Sequence, residues 1–122
     1  MTKMLTPFCV ACLIYLPSSA ALADFYDGYK LIMLMREHEK AESSDPGTDY
    51  VNASRYSGYV TGVADTLNGI AICLGHDTTV RQITAAVTQY MNAHPEEWTH
   101  PAAILVSKAL QQAFPCGGKS RG

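Results

Sequence analysis

Much that would mark a membrane protein, a nucleic-acid binder or a hydrolase is missing from this chain. Beyond residue 23 no apolar run approaches the about 20 residues that crossing a bilayer requires. No lysine and arginine cluster is present either. The chain has 9 Lys+Arg against 11 Asp+Glu; beyond residue 23 Lys3 drops out, leaving 8 against 11 and a formal charge of −3. So mild a charge leaves no electrostatic footprint for nucleic acid and no polybasic membrane patch. No serine lies in a G-x-S-x-G elbow, and no two histidines stand at the i, i+4 spacing of a metalloprotease helix. Cysteine is scarce: of four, only Cys73 and Cys116 lie beyond the first 23 residues.

What those 23 residues do contain is an export signal. Met1-Thr2-Lys3-Met4 carries one positive charge, and an apolar stretch runs from Leu5 to Leu16. Pro17 and Ser18-Ser19 break it, and Ala21-Leu22-Ala23 offers small residues where signal peptidase reads. The layout predicts cleavage between Ala23 and Asp24, with Cys9 and Cys12 leaving on the signal. The remaining 24–122 is one domain by length, and it is periplasmic if the source is Gram-negative. In such a compartment Cys73 and Cys116 are expected to pair. A metal-ligand pair or a free thiol is the competing reading, but the spacing fits no standard zinc motif and the compartment favours oxidation.

Four helices and no strand are predicted, over about 26–40, 51–73, 79–93 and 101–113. Leu31, Ile32, Leu34 and Met35 give the first its apolar content, and the polar, Pro-Gly-containing stretch 42–49 ends it. In the second, Tyr59, Val63, Thr66, Ile70 and Cys73 repeat at spacings of four and three, one face of a helix. Gly58, Gly62 and Gly69 fall on another stripe, which points either to a tight helix crossing within the chain or to a dimer or partner interface. Thr79 with Gln82 reads as a capping box before Val80, Ile83, Val87, Tyr90 and Met91. Pro101 suits a helix start, with Ala102, Leu105, Val106, Ala109, Leu110 and Ala113 facing inward. Phe114-Pro115-Cys116 stops this helix, and 117–122 reads as a frayed tail.

Candidate chemistry is thin. His38 lies in the charged run 36–40, and His76 in a turn. Glu96-Glu97 could be imagined as a glycosidase carboxylate pair, but adjacent loop residues diverge. Asp65, mid-helix among apolar residues, is expected to accept a buried hydrogen bond. The stronger candidate is a recognition loop: His94, Glu96, Glu97, Trp98 and His100 surround the single tryptophan. Tryptophan either supplies a binding hot spot here or folds back over the core.

Gly58-Tyr59-Val60-Thr61-Gly62-Val63-Ala64-Asp65 followed by Cys73 resembles the core motif of the Rap/Tai family of type VI secretion immunity proteins. Gln82 with Tyr90, His94-Pro95, Pro101-Ala102-Ala103 and Phe114-Pro115-Cys116 are similar to it in order and spacing. The resemblance implies a compact, all-α four-helix domain over 24–116 with one disulfide, homodimeric and periplasmic. It also implies binding to a cognate effector, notably a peptidoglycan amidase, without cofactor, metal or catalytic residues. Gly58, Tyr59, Gly62, Asp65 and Gly69 become helix-packing positions. Family members commonly carry a further cysteine pair; Leu34-Met35-Arg36 and Arg55-Tyr56-Ser57 stand there instead. The rival reading is an acid-stress periplasmic chaperone or another periplasmic binding module.

Overall fold

The computed structural model describes residues 25–117. The predicted signal 1–23 and the predicted tail, apart from Gly117, lie outside the described residues. Within them the chain is all-α: α1 (Gly28–Glu42), α2 (Tyr50–Leu67), α3 (Val80–Ala93), a short 3-10 turn (Pro95–Glu97) and α4 (Ala102–Ala113). No described helix is long and apolar enough to cross a membrane.

Helices α1, α2 and α3 each start where the sequence supplies a side-chain partner for free N–H groups. The Asp27 carboxylate accepts from the Lys30 N–H at 2.8 Å, and Asp49 accepts from Val51 and Asn52 at 3.0 Å. Thr79 and Gln82 form the expected reciprocal capping box. Asp49 also donates its own N–H to Glu37 Oε2 at 2.8 Å, fixing the start of α2 against the last turns of α1. That bond and the Lys40 ammonium at 2.7 Å hold the Glu37 carboxyl below the usual carboxylate range, the lysine contributing most.

The core gathers Leu31, Leu34 and Met35 of α1 with Tyr56, Val60 and Ala64 of α2, and it continues through Val87 and Met91 to Leu105, Val106 and Leu110. Met35 and Tyr56, in the two stretches where the resemblance would have a second cysteine pair, are both fully buried. The Tyr56 hydroxyl lies 2.9 Å from Thr88 Oγ1 and donates to the Thr84 carbonyl at 3.3 Å, tying α2 to α3. Packing and hydrogen bonding therefore join the elements there, without a second covalent link.

Helix α2 departs from the expected course. It stops at Leu67, not Cys73, because Asn68 turns the chain and Gly69 takes φ +79°, a left-handed conformation that favours glycine. Its buried face is Ala53, Tyr56, Val60 and Ala64, whereas Thr66 is exposed and Ile70 is 80% exposed. The regular spacing of Tyr59, Val63, Thr66, Ile70 and Cys73 misled because its last two members are not helical. Tyr59 and Val63 pack at the margin of the core. Beyond Asn68 the chain returns Ile72 to full burial and pairs it with Pro115. The Cys73 N–H donates to the Phe114 carbonyl at 3.0 Å, and Cys73 and Cys116 form the disulfide, their Cα atoms 4.9 Å apart. Closing a loop with a sequence separation of 43 stabilises the fold by roughly 4 kcal/mol in the chain-entropy model.

The glycine stripe also behaves differently from a helix crossing. A Cβ at Gly58, Gly62 or Gly69 would meet nothing within 4 Å. Asp65 is exposed and not a buried acceptor. The glycine that does admit a neighbouring backbone is Gly28, at the start of α1. Its Cβ would lie 2.5 Å from both the Cα and the carbonyl oxygen of Trp98, and 2.8 Å from Leu105 Cδ1. Its N–H donates to the His100 carbonyl at 3.0 Å, and the Ala102 N–H donates to the Tyr26 carbonyl at 2.8 Å.

Two alanine substitutions should therefore move stability in opposite directions. Gly28→Ala drives a methyl into backbone and should cost about 1–3 kcal/mol. Gly62→Ala, in an open helix interior, should gain about 0.5–1 kcal/mol. Urea denaturation of the oxidised protein in dilute solution checks both, and a neutral Gly28→Ala would show that the close approach is not required.

Candidate functional site

Loop 94–100 links α3 to α4, and the sequence dictates its shape. Pro95 cannot continue α3, so His94 becomes the C-cap and a 3-10 turn follows. The two adjacent glutamates diverge. Glu96 turns outward, its Oε1 3.1 Å from His94 Nδ1, with a side chain 67% exposed. Glu97 turns inward, where Oε2 accepts from the Tyr90 hydroxyl at 2.8 Å and from the Lys108 ammonium at 3.0 Å. A carboxylate pair for glycoside cleavage is not formed.

Tyr90, buried on α3, and Lys108, half-buried on α4, are the anchors that sequence reasoning missed. Tyr90 stands seven residues before Glu97 on the apolar face of α3, and its spacing there points to the core and not to the loop. Lys108 is brought in by the packing of α4, for which no local pattern exists. The bond from Tyr90, and after it the one from Lys108, holds the Glu97 carboxyl below its usual range. Burial, and then the bond to Glu97, pushes the Tyr90 hydroxyl up to about 12. Glu96 is lowered first by its own backbone N–H and then by His94.

Trp98 resolves toward the core. Its indole N–H donates to the Met91 carbonyl at 2.9 Å, its ring packs on the core margin, and Tyr29 meets it edge-on at 6.1 Å. The tryptophan thus supports the loop and is only partly exposed. The His94 ring lies tilted against Tyr90 at 4.4 Å, and His100 is exposed while its carbonyl accepts from Gly28. His38 lies 3.2 Å from Ser57 Oγ, and His76 is exposed in its turn, so neither joins the loop. Of the predicted helix-packing residues, Tyr59 stacks on Tyr26 at 5.2 Å, far from Glu97 in the chain; the exposed glycines and Asp65 form no part of this site.

His94, Glu96 and Glu97 do bring ligand-capable atoms within 4.8 Å of one another. The Lys108 ammonium already neutralises the Glu97 oxygen of this group, and a second cation would meet its repulsion. The arrangement is a braced loop whose inner carboxylate is already paired. No nucleophile stands beside a base in it.

Residues 19–116 match the Rap1a immunity proteins. The chain belongs to this family. The match covers all four helices and both disulfide cysteines and begins inside the predicted signal. No curated protein matches the chain.

The Glu97 network makes acid stability testable. A carboxyl whose folded pKa lies below its ordinary value of 4.5 adds stability that is present above that value and lost as pH falls through the folded pKa. Glu97→Gln should therefore destabilise the protein at neutral pH, and the difference from the parent should vanish in acid. Denaturation midpoints compared from about pH 7 to about pH 3 give the check; a difference that persists in acid would point to lost packing instead.

Proposed function

We propose that this immunity protein acts in the periplasm as the inhibitor of a type VI secretion effector, a peptidoglycan amidase, which it silences by covering the active-site cleft and not by chemistry. Membership of the Rap1a immunity proteins carries this reading. The signal-like N-terminus and the disulfide support the compartment, since such a bond persists in oxidising surroundings. Homodimerisation belongs to the same reading, and the open stripe of Gly58 and Gly62 leaves α2 free for a second copy.

Loop 94–100 is the proposed contact surface. Its backbone is held from within by Trp98, Glu97 and His100, so little conformational freedom remains to be lost on binding. Its exposed residues are Pro95, Glu96, Thr99 and His100, of which Glu96 and His100 carry ionisable side chains, with the uncovered part of Trp98 between them in sequence.

The test is a titration of the oxidised protein, without its signal, against the product of the adjacent gene, following binding and peptidoglycan hydrolysis together. Tight binding with loss of hydrolysis is expected. Trp98→Ala should weaken the complex by more than about 1–2 kcal/mol and also lower thermal stability, because the Met91 carbonyl loses its donor. Glu96→Ala with His100→Ala should weaken binding while leaving stability unchanged. Undiminished hydrolysis without binding would overturn the inhibitor reading.

A further inference from the structure

Beside the loop, an open groove of about 290 Å³ runs between α3 and α4. Small side chains open it: Ala86 and Ala93 from α3, and Ala109 and Ala113 from α4. Gln89 and Gln112 also line it, both exposed and with side-chain amides that make no hydrogen bond among the described residues. Tyr90 and His94 complete the lining, their rings in tilted contact with centroids 4.4 Å apart. The volume falls at the lower limit for small-molecule pockets, about 300 Å³, so a single long side chain suits it better than a cofactor.

The electrostatics of the groove are one-sided. Ala93 and His94 close α3, and Gln112 and Ala113 close α4, so both helix ends nearby are C-terminal and carry partial negative charge. Glu96 stands in contact with His94, its carboxylate largely exposed and bonded to no lysine or arginine. The nearest lysine along α4, Lys108, is engaged by Glu97. No lysine or arginine lines the groove.

We propose that the α3–α4 groove receives an arginine side chain from the protein partner, its methylene stem along the four alanines and its guanidinium toward Glu96 and the two glutamine amides. Guanidinium suits such a seat because its planar fork donates to several acceptors at once while its stem tolerates apolar walls. The proposal rests on the inhibitor reading for the partner's identity, but the groove can be tested without that partner.

The probe is N-acetyl-arginine methylamide, titrated into the isotope-labelled, oxidised protein, with the neutral isostere N-acetyl-citrulline methylamide as control. Amide shifts confined to Ala86, Gln89, Ala93, His94, Gln112 and Ala113 are expected with the arginine probe. They should weaken about two- to fivefold in affinity with Glu96→Gln, as for an exposed ion pair, and disappear in Ala113→Leu, whose larger side chain fills an exposed edge. Equal shifts with citrulline, or none in the groove, would overturn the proposal. An effector still bound at full affinity by Ala113→Leu would sink the groove and spare the inhibitor reading. Groove shifts from the arginine probe alongside an unbound effector would do the reverse.

Discussion

The fold depends on one close approach: the start of α1 lies directly on the backbone at Trp98, with only hydrogen atoms of Gly28 between them. This contact joins the first element of the domain to the link between the last two. It brings the Tyr26 carbonyl to the first N–H of α4 and the His100 carbonyl to the first N–H of α1. Pro101 and Ala102 thereby begin α4 against α1, and Leu105 enters the core beside Gly28. The loop that forms the proposed contact surface is thus a structural junction as well, which explains why its tryptophan is turned inward.

A second tie works from the opposite side of the sequence. The turn after α2 is drawn against the end of α4 by the Ile72–Pro115 pairing, the Cys73–Phe114 hydrogen bond and the disulfide. Ile72 is completely buried only because that turn folds back. Packing within the bundle and pairing at its edges therefore support each other: the core needs Ile72, and Ile72 needs the return that Gly69 permits.

How far the sequence speaks can be judged element by element. Capping chemistry is local, so Thr79 with Gln82 reads correctly, and the inward residues of α4 read correctly apart from Ala113, which is exposed. The pairing of Cys73 with Cys116 follows from compartment and number, and does not need geometry. The end of α2 is less legible, because a run at helical spacing can continue through a left-handed turn by coincidence, as Ile70 and Cys73 do. Glycine's meaning is not legible at all from its spacing: Gly58 and Gly62 face open space, while the isolated Gly28 holds the tightest contact. The bracing of Glu97 by Tyr90 and Lys108 joins three elements, and no window of sequence contains it. Whether Trp98 points in or out is decided by the Met91 carbonyl, which every residue possesses and no pattern reveals.

The placement of the disulfide has a consequence for damage. Cys73 and Cys116 bracket α3, the loop and α4, so this half of the molecule is a closed covalent ring. A protease that cuts once at the exposed Glu96 or Thr99 opens the ring without releasing a fragment. Both ends of the cut stay attached, each held by a helix already packed into the core. The chain can thus be nicked at this loop and remain a single molecule.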